Sequence, residues 1–152
     1  MSGDHQRQER HLIVDPETSA RLGRVRQAST KAEVLVRSLL HRLGFRVRVG
    51  GRGLPGSPDI VNRTRQWAVF VHGCFWHAHR QCARATVPRR NRAFWTEKFA
   101  ANRRRDVRAL RELRRMGYNT AVVWECEIYD RPQVMVHRLE RQLRRGSYGE
   151  QT

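Results

Sequence analysis

The sequence predicts an α/β fold, a mixed central β-sheet flanked by helices. Segments of helical and strand periodicity follow one another as helix, strand, strand, strand, helix, strand, helix, and the strands around Val69 and Val122 are apolar runs of the kind buried sheets use. No internal repeat is present, and 152 residues suffice for one domain with a real core but not for two ordinary ones.

Residues 1–28 are polar and carry charge of both signs without a sustained apolar period, which predicts a basic, flexible arm. Arg21, Arg24 and Arg26 stand at its inner end, where such an arm could lie along phosphates. The domain proper spans 29–143. Its first helix runs from Thr30 to Gly44: Thr30 and Glu33 make a capping box, Ala32, Leu35, Val36, Leu39, Leu40 and Leu43 form one stripe, and the glycine stops it. Phe45, Val47 and Val49 alternate with arginines as a half-buried strand does, and GGRGLPGSP then breaks the chain. Asp59-Ile60-Val61, the NRTR turn and the run Trp67 to Val71 predict a hairpin whose second strand is central.

Beyond the loop HGCFWHAHRQC, Asn91 can cap a long helix from Arg92 to Met116 with Phe99, Val107, Leu110 and Leu113 inward and Gly117 as its stop. Asp106 falls on or beside that apolar stripe, where an acid is unexpected. Thr120 to Trp124 is a second buried strand, Asp130-Arg131-Pro132 a turn, Val134 to Leu143 an amphipathic helix, and residues 144–152 a disordered tail.

Lysine and arginine total 31 against 14 acids, for a formal charge of +17, so the dominant partner should be a polyanion, with nucleic acid foremost. Only Lys31 and Lys98 are lysines, and an arginine skew of this kind can also arise from a GC-rich coding sequence. No run approaches the roughly 18 apolar residues of a membrane span, and MSGDHQRQER lacks the apolar centre of a signal peptide, which predicts a cytoplasmic protein with no membrane partner.

Three cysteines in a reducing compartment cannot form a closed disulfide set. Cys74, His79 and Cys82 occur as C-x4-H-x2-C, and Cys126 stands at the end of the later strand. Three thiolates and an imidazole are a tetrahedral Zn²⁺ set that leaves no open position, hence a structural ion; buried thiols beside a surface histidine are the plainer alternative.

Phosphodiester cleavage needs hard oxygen ligands for a divalent metal and a base to activate water. Asp59, after a proline at the start of a strand, can present a carboxylate at a sheet edge, although Ser57-Pro58-Asp59 taken alone is more often a turn. His72 and His77 bracket Cys74 and are not needed for zinc; a neutral histidine can take a proton from water, and Asp106 is the sort of partner that fixes its tautomer. Phe75 and Trp76 in the same loop, and Phe94 and Trp95 amid Arg89, Arg90 and Arg92, suit wedging between base steps as well as they suit a core.

LPGSPDIV, VFVHGCFWHAHRQC, NRAFWTEKFAANRRRD and VVWECE, in this order and spacing, resemble the successive blocks of the very short patch repair (Vsr) DNA mismatch endonucleases, from about Ser19 to Glu127. The resemblance implies a restriction-endonuclease-like core and Mg²⁺-dependent nicking of duplex DNA on the 5′ side of a thymine mispaired with guanine. It implies that Asp59 and the backbone carbonyl of Val71 hold catalytic Mg²⁺, as a pair of ions, while Cys74, His79, Cys82 and Cys126 hold one structural Zn²⁺. His77 would be the general base oriented by Asp106, His72 would assist at the phosphate or leaving group, and Glu33 would orient water. Phe75, Trp76 and Trp95 resemble intercalating aromatics, and Arg21, Arg24 and Arg26 would clasp the duplex. A nucleoid-associated monomer that meets general mismatch-repair proteins is also implied.

Two departures stand out: Val71 replaces the threonine of some members, and the C-x4-H-x2-C spacing is one residue longer than in some relatives. The glutamate-x-lysine of the wider nuclease superfamily is absent from the Trp67 strand, as the resemblance implies, the histidines taking over its role. Two other readings fit the same residues, a site-specific nuclease without mismatch preference and a non-catalytic zinc-stabilised DNA-binding module.

Overall fold

A computed structural model describes residues 31–145. Thr30, the arm with Arg21, Arg24 and Arg26, and the chain from 146 onward lie outside them. Helix α1 (31–42) is followed by β1 (Arg48–Val49), β2 (Ile60–Asn62), β3 (Trp67–His72), α2 (Arg92–Arg115), β4 (Asn119–Trp124), α3 (Glu125–Asp130) and α4 (Pro132–Arg145). The strands form one four-stranded sheet in the order β1-β2-β3-β4, antiparallel at its first two junctions and parallel between β3 and β4. The predicted mixed sheet flanked by helices is therefore present.

Alternation of side chains along each strand sorts the core into two layers. Trp67, Val69 and Val71 of β3 and Ala121 and Val123 of β4 face α1 and α4, meeting Ala32, Val36, Leu40, Met135, Leu139 and Leu143. Ala68 and Phe70 face α2, meeting Ala109 and Leu113. All six residues of β3 are buried, because helices cover both of its faces. His72 continues the Ala68-Phe70 parity, so its ring is delivered to the α2 side.

Several local expectations shift. α1 buries Ala32, Val36 and Leu40, but Leu35 is 43% exposed, since the helix turns a narrower stripe to the core than its apolar content offers. Gly44 takes φ +86° and closes α1, with Phe45 N–H returning to the Leu40 carbonyl. The predicted Phe45–Val49 strand pairs only over Arg48–Val49, although Phe45 and Val47 still pack on the core. In α2, Val107 is 55% exposed rather than inward, and Ala109 takes the buried place beside Phe70. Asn91 is the N-cap residue, yet it lies in the left-handed region and makes no side-chain cap bond. Between β4 and the predicted Asp130-Arg131-Pro132 turn the chain forms α3, an element not predicted from the sequence, and α4 is longer at both ends than the expected Val134–Leu143.

Gly56, in the loop before β2, has φ +70°, and a Cβ there would stand 2.5 Å from the Ala109 Cβ. The missing side chain lets the loop lie against α2. Gly56→Ala is expected to lower stability by about 2–4 kcal/mol, combining left-handed strain with overpacking, read as a fall in the urea midpoint at unchanged slope.

Candidate active site

The C-terminal ends of β3 and β4 lie side by side, His72 pairing in register with Trp124. This is the end of a parallel pair where open α/β sheets place ligands. Asp59 reaches the same end from the hairpin's other strand. Its N–H donates to the Val69 carbonyl at 3.1 Å and its carbonyl accepts from Gly50 N–H at 3.1 Å, so the ladder holds its backbone from both sides. Its Oδ2 accepts from the Val71 N–H at 2.7 Å, which points the carboxylate along the end of β3.

A cleft of about 510 Å³ opens there, with Glu33, Asp59, His72, His77 and Asp106 in its walls. Five candidate residues from α1, the β2 hairpin, β3, the following loop and α2 thus share one cavity. Burial first, then the neighbouring Asp59 charge and hydrogen bond, pushes Glu33 up to about 7. Burial also raises Asp59, against the opposing pull of the Val71 N–H. The Glu33 hydrogen bond in turn favours the charged form of Asp59, and two carboxyl groups this close are a donor set suited to a hard divalent cation.

His77 Nδ1 lies 2.6 Å from Asp106 Oδ2, and its ring stacks on His72 with centroids 3.8 Å apart and planes 1° from parallel. The acid that looked misplaced on α2 therefore has a partner from the loop. Burial, followed by the charge of His77, depresses His72 to about 4, so His72 is a neutral imidazole near neutral pH. His72 Nδ1 is buried without a hydrogen-bond partner among the described residues.

Beyond the strand ends, Cys74 follows β3 and Cys126 lies in α3, just after β4. The ligand atoms of Cys74, His79, Cys82 and Cys126 all fall within 4.8 Å of one another. His79 Nδ1 stands 3.4 Å from Cys126 Sγ and 3.7 Å from Cys74 Sγ. Bonds of about 2.3 Å to sulfur and about 2.0 Å to nitrogen at a tetrahedral angle require a separation of about 3.6 Å, so this cluster could hold a metal of zinc's size. The longer C-x4-H-x2-C spacing leaves His79 in place, its ring stacked on Trp124 at 4.0 Å. Burial raises both Cys74 and Cys126 thiols, an effect that a bound cation reverses.

A sequence model of the family described as DNA mismatch endonuclease Vsr matches residues 13–84. The type II nicking enzyme V.XorIIP of Xanthomonas oryzae pv. oryzae is 46% identical over 70% of this chain and 77% of its own length. V.NmeAIP, a type II nicking enzyme of Neisseria meningitidis serogroup A, is 40% identical over 80% of this chain and 85% of its own. The DNA mismatch endonuclease Vsr of Escherichia coli is 36% identical over 80% and 77%. The chain belongs to the Vsr family.

As a Vsr-family member it is a DNA endonuclease, and DNA is its substrate. Among the described residues no helix is long and apolar enough to cross a membrane. Within the Vsr domain the aromatic candidates are not equally free. Phe75 and Trp95 are 3% and 5% exposed and meet edge to face beside Phe99, whereas Trp76 is half-buried and Phe94 is 38% exposed. Phe75, Trp95 and Phe99 form a satellite core, with Trp76 packed against it.

Sequence reasoning missed several groups in and around the site. Asn102 and Arg105 also line the cleft, with Asn102 Nδ2 donating to the Trp76 carbonyl at 3.0 Å and Arg105 donating to Asn102 Oδ1. Glu125 is buried and accepts the Cys74 N–H at 3.3 Å, tying the metal loop to α3. The i, i+3 and i, i+4 spacings of Asn102, Arg105 and Asp106 would have placed these three near one another, but without the fold nothing distinguished them from the other polar residues of an arginine-rich helix.

The acid pair makes a pH prediction. The folded pKa of Glu33, about 7, lies above its unfolded value of 4.5, so its proton stabilises the folded state fully below 4.5 and that contribution is lost as pH rises through 7. Without added divalent metal, Glu33→Gln is expected to be more stable than the parent at about pH 8 by on the order of 1 kcal/mol, after allowing for solvent screening, and no more stable at about pH 4. Urea midpoints at both pH values measure the difference.

Proposed function

We propose that this chain nicks duplex DNA on the 5′ side of the thymine in a T:G mismatch, with Mg²⁺ at Asp59 and the Val71 backbone carbonyl, Glu33 orienting water, and a structural Zn²⁺ at Cys74, His79, Cys82 and Cys126, on a restriction-endonuclease-like core. The observation that carries the reading is the convergence of both carboxylates with the His72, His77 and Asp106 group in one cleft. Bound there, Mg²⁺ supplies positive charge against the scissile phosphate and makes the attacking water more acidic.

The protein's own groups perform the remaining tasks. Asp59 is held by the Val71 N–H and provides the principal oxygen ligand, the Val71 carbonyl being a second candidate. Asp106 holds His77 Nδ1, leaving Nε2 to take the proton from water and stabilising the imidazolium that results. His72 stays neutral and offers an N–H to the phosphate or leaving oxygen, since two stacked rings at this separation do not both carry charge easily. Trp76, with Phe75 and Trp95 once their cluster opens, wedges the stack beside the mismatch, and Arg21, Arg24 and Arg26 embrace the duplex. The carboxylates and imidazoles of this scheme come from one chain and share one cleft, which fits a monomer. Contacts with general mismatch-repair proteins and association with the nucleoid complete the reading.

The test is Mg²⁺-dependent strand cleavage of paired duplexes that differ only in T:G or T:A, with the cut position mapped. Preferential nicking of the T:G duplex just 5′ to its thymine is expected. Equal cutting of both would replace the mismatch reading with that of a site-specific nuclease.

A further inference from the structure

The outer face of α2 carries a feature that cleavage does not use. At about 100° and about 1.5 Å per residue, Arg104, Arg108, Arg111 and Arg115 fall within about 60° of one another and form a straight stripe about 16 Å long. All four are exposed, and among the described residues none holds an ion pair or hydrogen bond to a carboxylate. Ala109 and Leu113 lie on the opposite, buried side of the helix. Asp106, which marks the cleft, is about 200° around the axis from Arg104. A straight duplex seated at Asp59 and His77 therefore faces away from the stripe.

We infer that this stripe is a second DNA surface, which holds the phosphate backbone of another duplex segment while the cleft is occupied. Four like charges in a row are unfavourable unless a polyanion neutralises them. A protein partner is disfavoured because the exposed apolar side chain that flanks the stripe between Arg104 and Arg115 is a single valine, Val107, and protein interfaces rely on a larger desolvated apolar or aromatic centre. Phosphate binding needs no such centre and is sequence-independent. A chain with two DNA surfaces can pass from one segment to the next without entering free solution, which speeds the search for a rare site.

The experiment follows the release of a short, labelled, fully paired duplex from the full-length protein as unlabelled duplex of the same sequence is added. Release is expected to accelerate with competitor concentration, because an incoming duplex seats on α2 before the first departs. In R104Q/R108Q/R111Q/R115Q the release rate should be independent of competitor, while nicking of a short substrate at saturation stays within about twofold of the parent; loss of four phosphate contacts should also flatten the salt dependence of the second binding event by about 3.6 in log–log slope. The matching quadruple lysine variant keeps the charge and should keep the acceleration, separating charge from any folding defect. Competitor-independent release from the parent, or equal acceleration in the glutamine variant, overturns the proposal. So does loss of short-substrate nicking in the glutamine but not the lysine variant, since the stripe would then belong to the duplex being cut.

Discussion

Asp59→Asn is expected to lower Mg²⁺-dependent nicking by about three orders of magnitude or more, the several kcal/mol of charge stabilisation that a catalytic metal provides. The fold should survive. Asparagine keeps an oxygen to accept the Val71 N–H, and the backbone bonds to Val69 and Gly50 do not depend on the side chain. Thermal stability should equal that of the parent or lie slightly above it, because asparagine removes a carboxylate whose charge burial disfavours and whose presence also raises Glu33. Loss of activity with retained stability separates a metal ligand from a structural acid. Residual Mg²⁺-dependent nicking within about tenfold of the parent would mean that Asp59 is not the principal ligand.

Cys126→Ser should have the opposite signature, with stability falling first and activity following it. The proposed zinc joins the chain after β3 to the chain after β4, so its loss frees the His77 loop from the sheet end that positions it. Structural zinc in small domains contributes on the order of 10 kcal/mol of apparent binding energy, comparable with the whole stability of a domain of this size. Metal analysis is expected to give far less than one zinc per variant chain, with a large drop or broadening of the thermal transition. A variant that kept a full equivalent of zinc and the parent melting temperature would remove Cys126 from the ligand set. Comparing the two variants also tests the division of labour between the clusters, since only the Asp59 change should leave zinc content untouched.

The most local features were legible in the sequence. Gly44 and Gly117 stop helices as expected, and both adopt positive φ. The hairpin from Ile60 through the NRTR turn, and the buried character of β3, followed from turn chemistry and an unbroken apolar run. The cysteine and histidine spacing suggested the cluster that the fold assembles. Less legible were the edges of the pattern: Leu35 and Val107 looked inward by periodicity but are exposed, because helical period tells which residues share a face and not how wide a face the neighbouring sheet covers.

What the sequence determined by itself was therefore the element order apart from α3, the basic charge, the residues suited to metal ligation and the set of acids and imidazoles available for a site. Tertiary structure decided which of them meet. The register of β3 against β4 sets His72 beside Trp124, the parity of β3 turns His72 toward α2, and the crossing of α2 brings Asp106 within hydrogen-bond distance of His77. Packing also buried Phe75 and Trp95 and left four arginines of α2 facing outward. Residues 33, 59, 77 and 106 are distant in the chain, and the free energy that brings them together comes from burying the two apolar layers of the sheet rather than from any attraction among themselves.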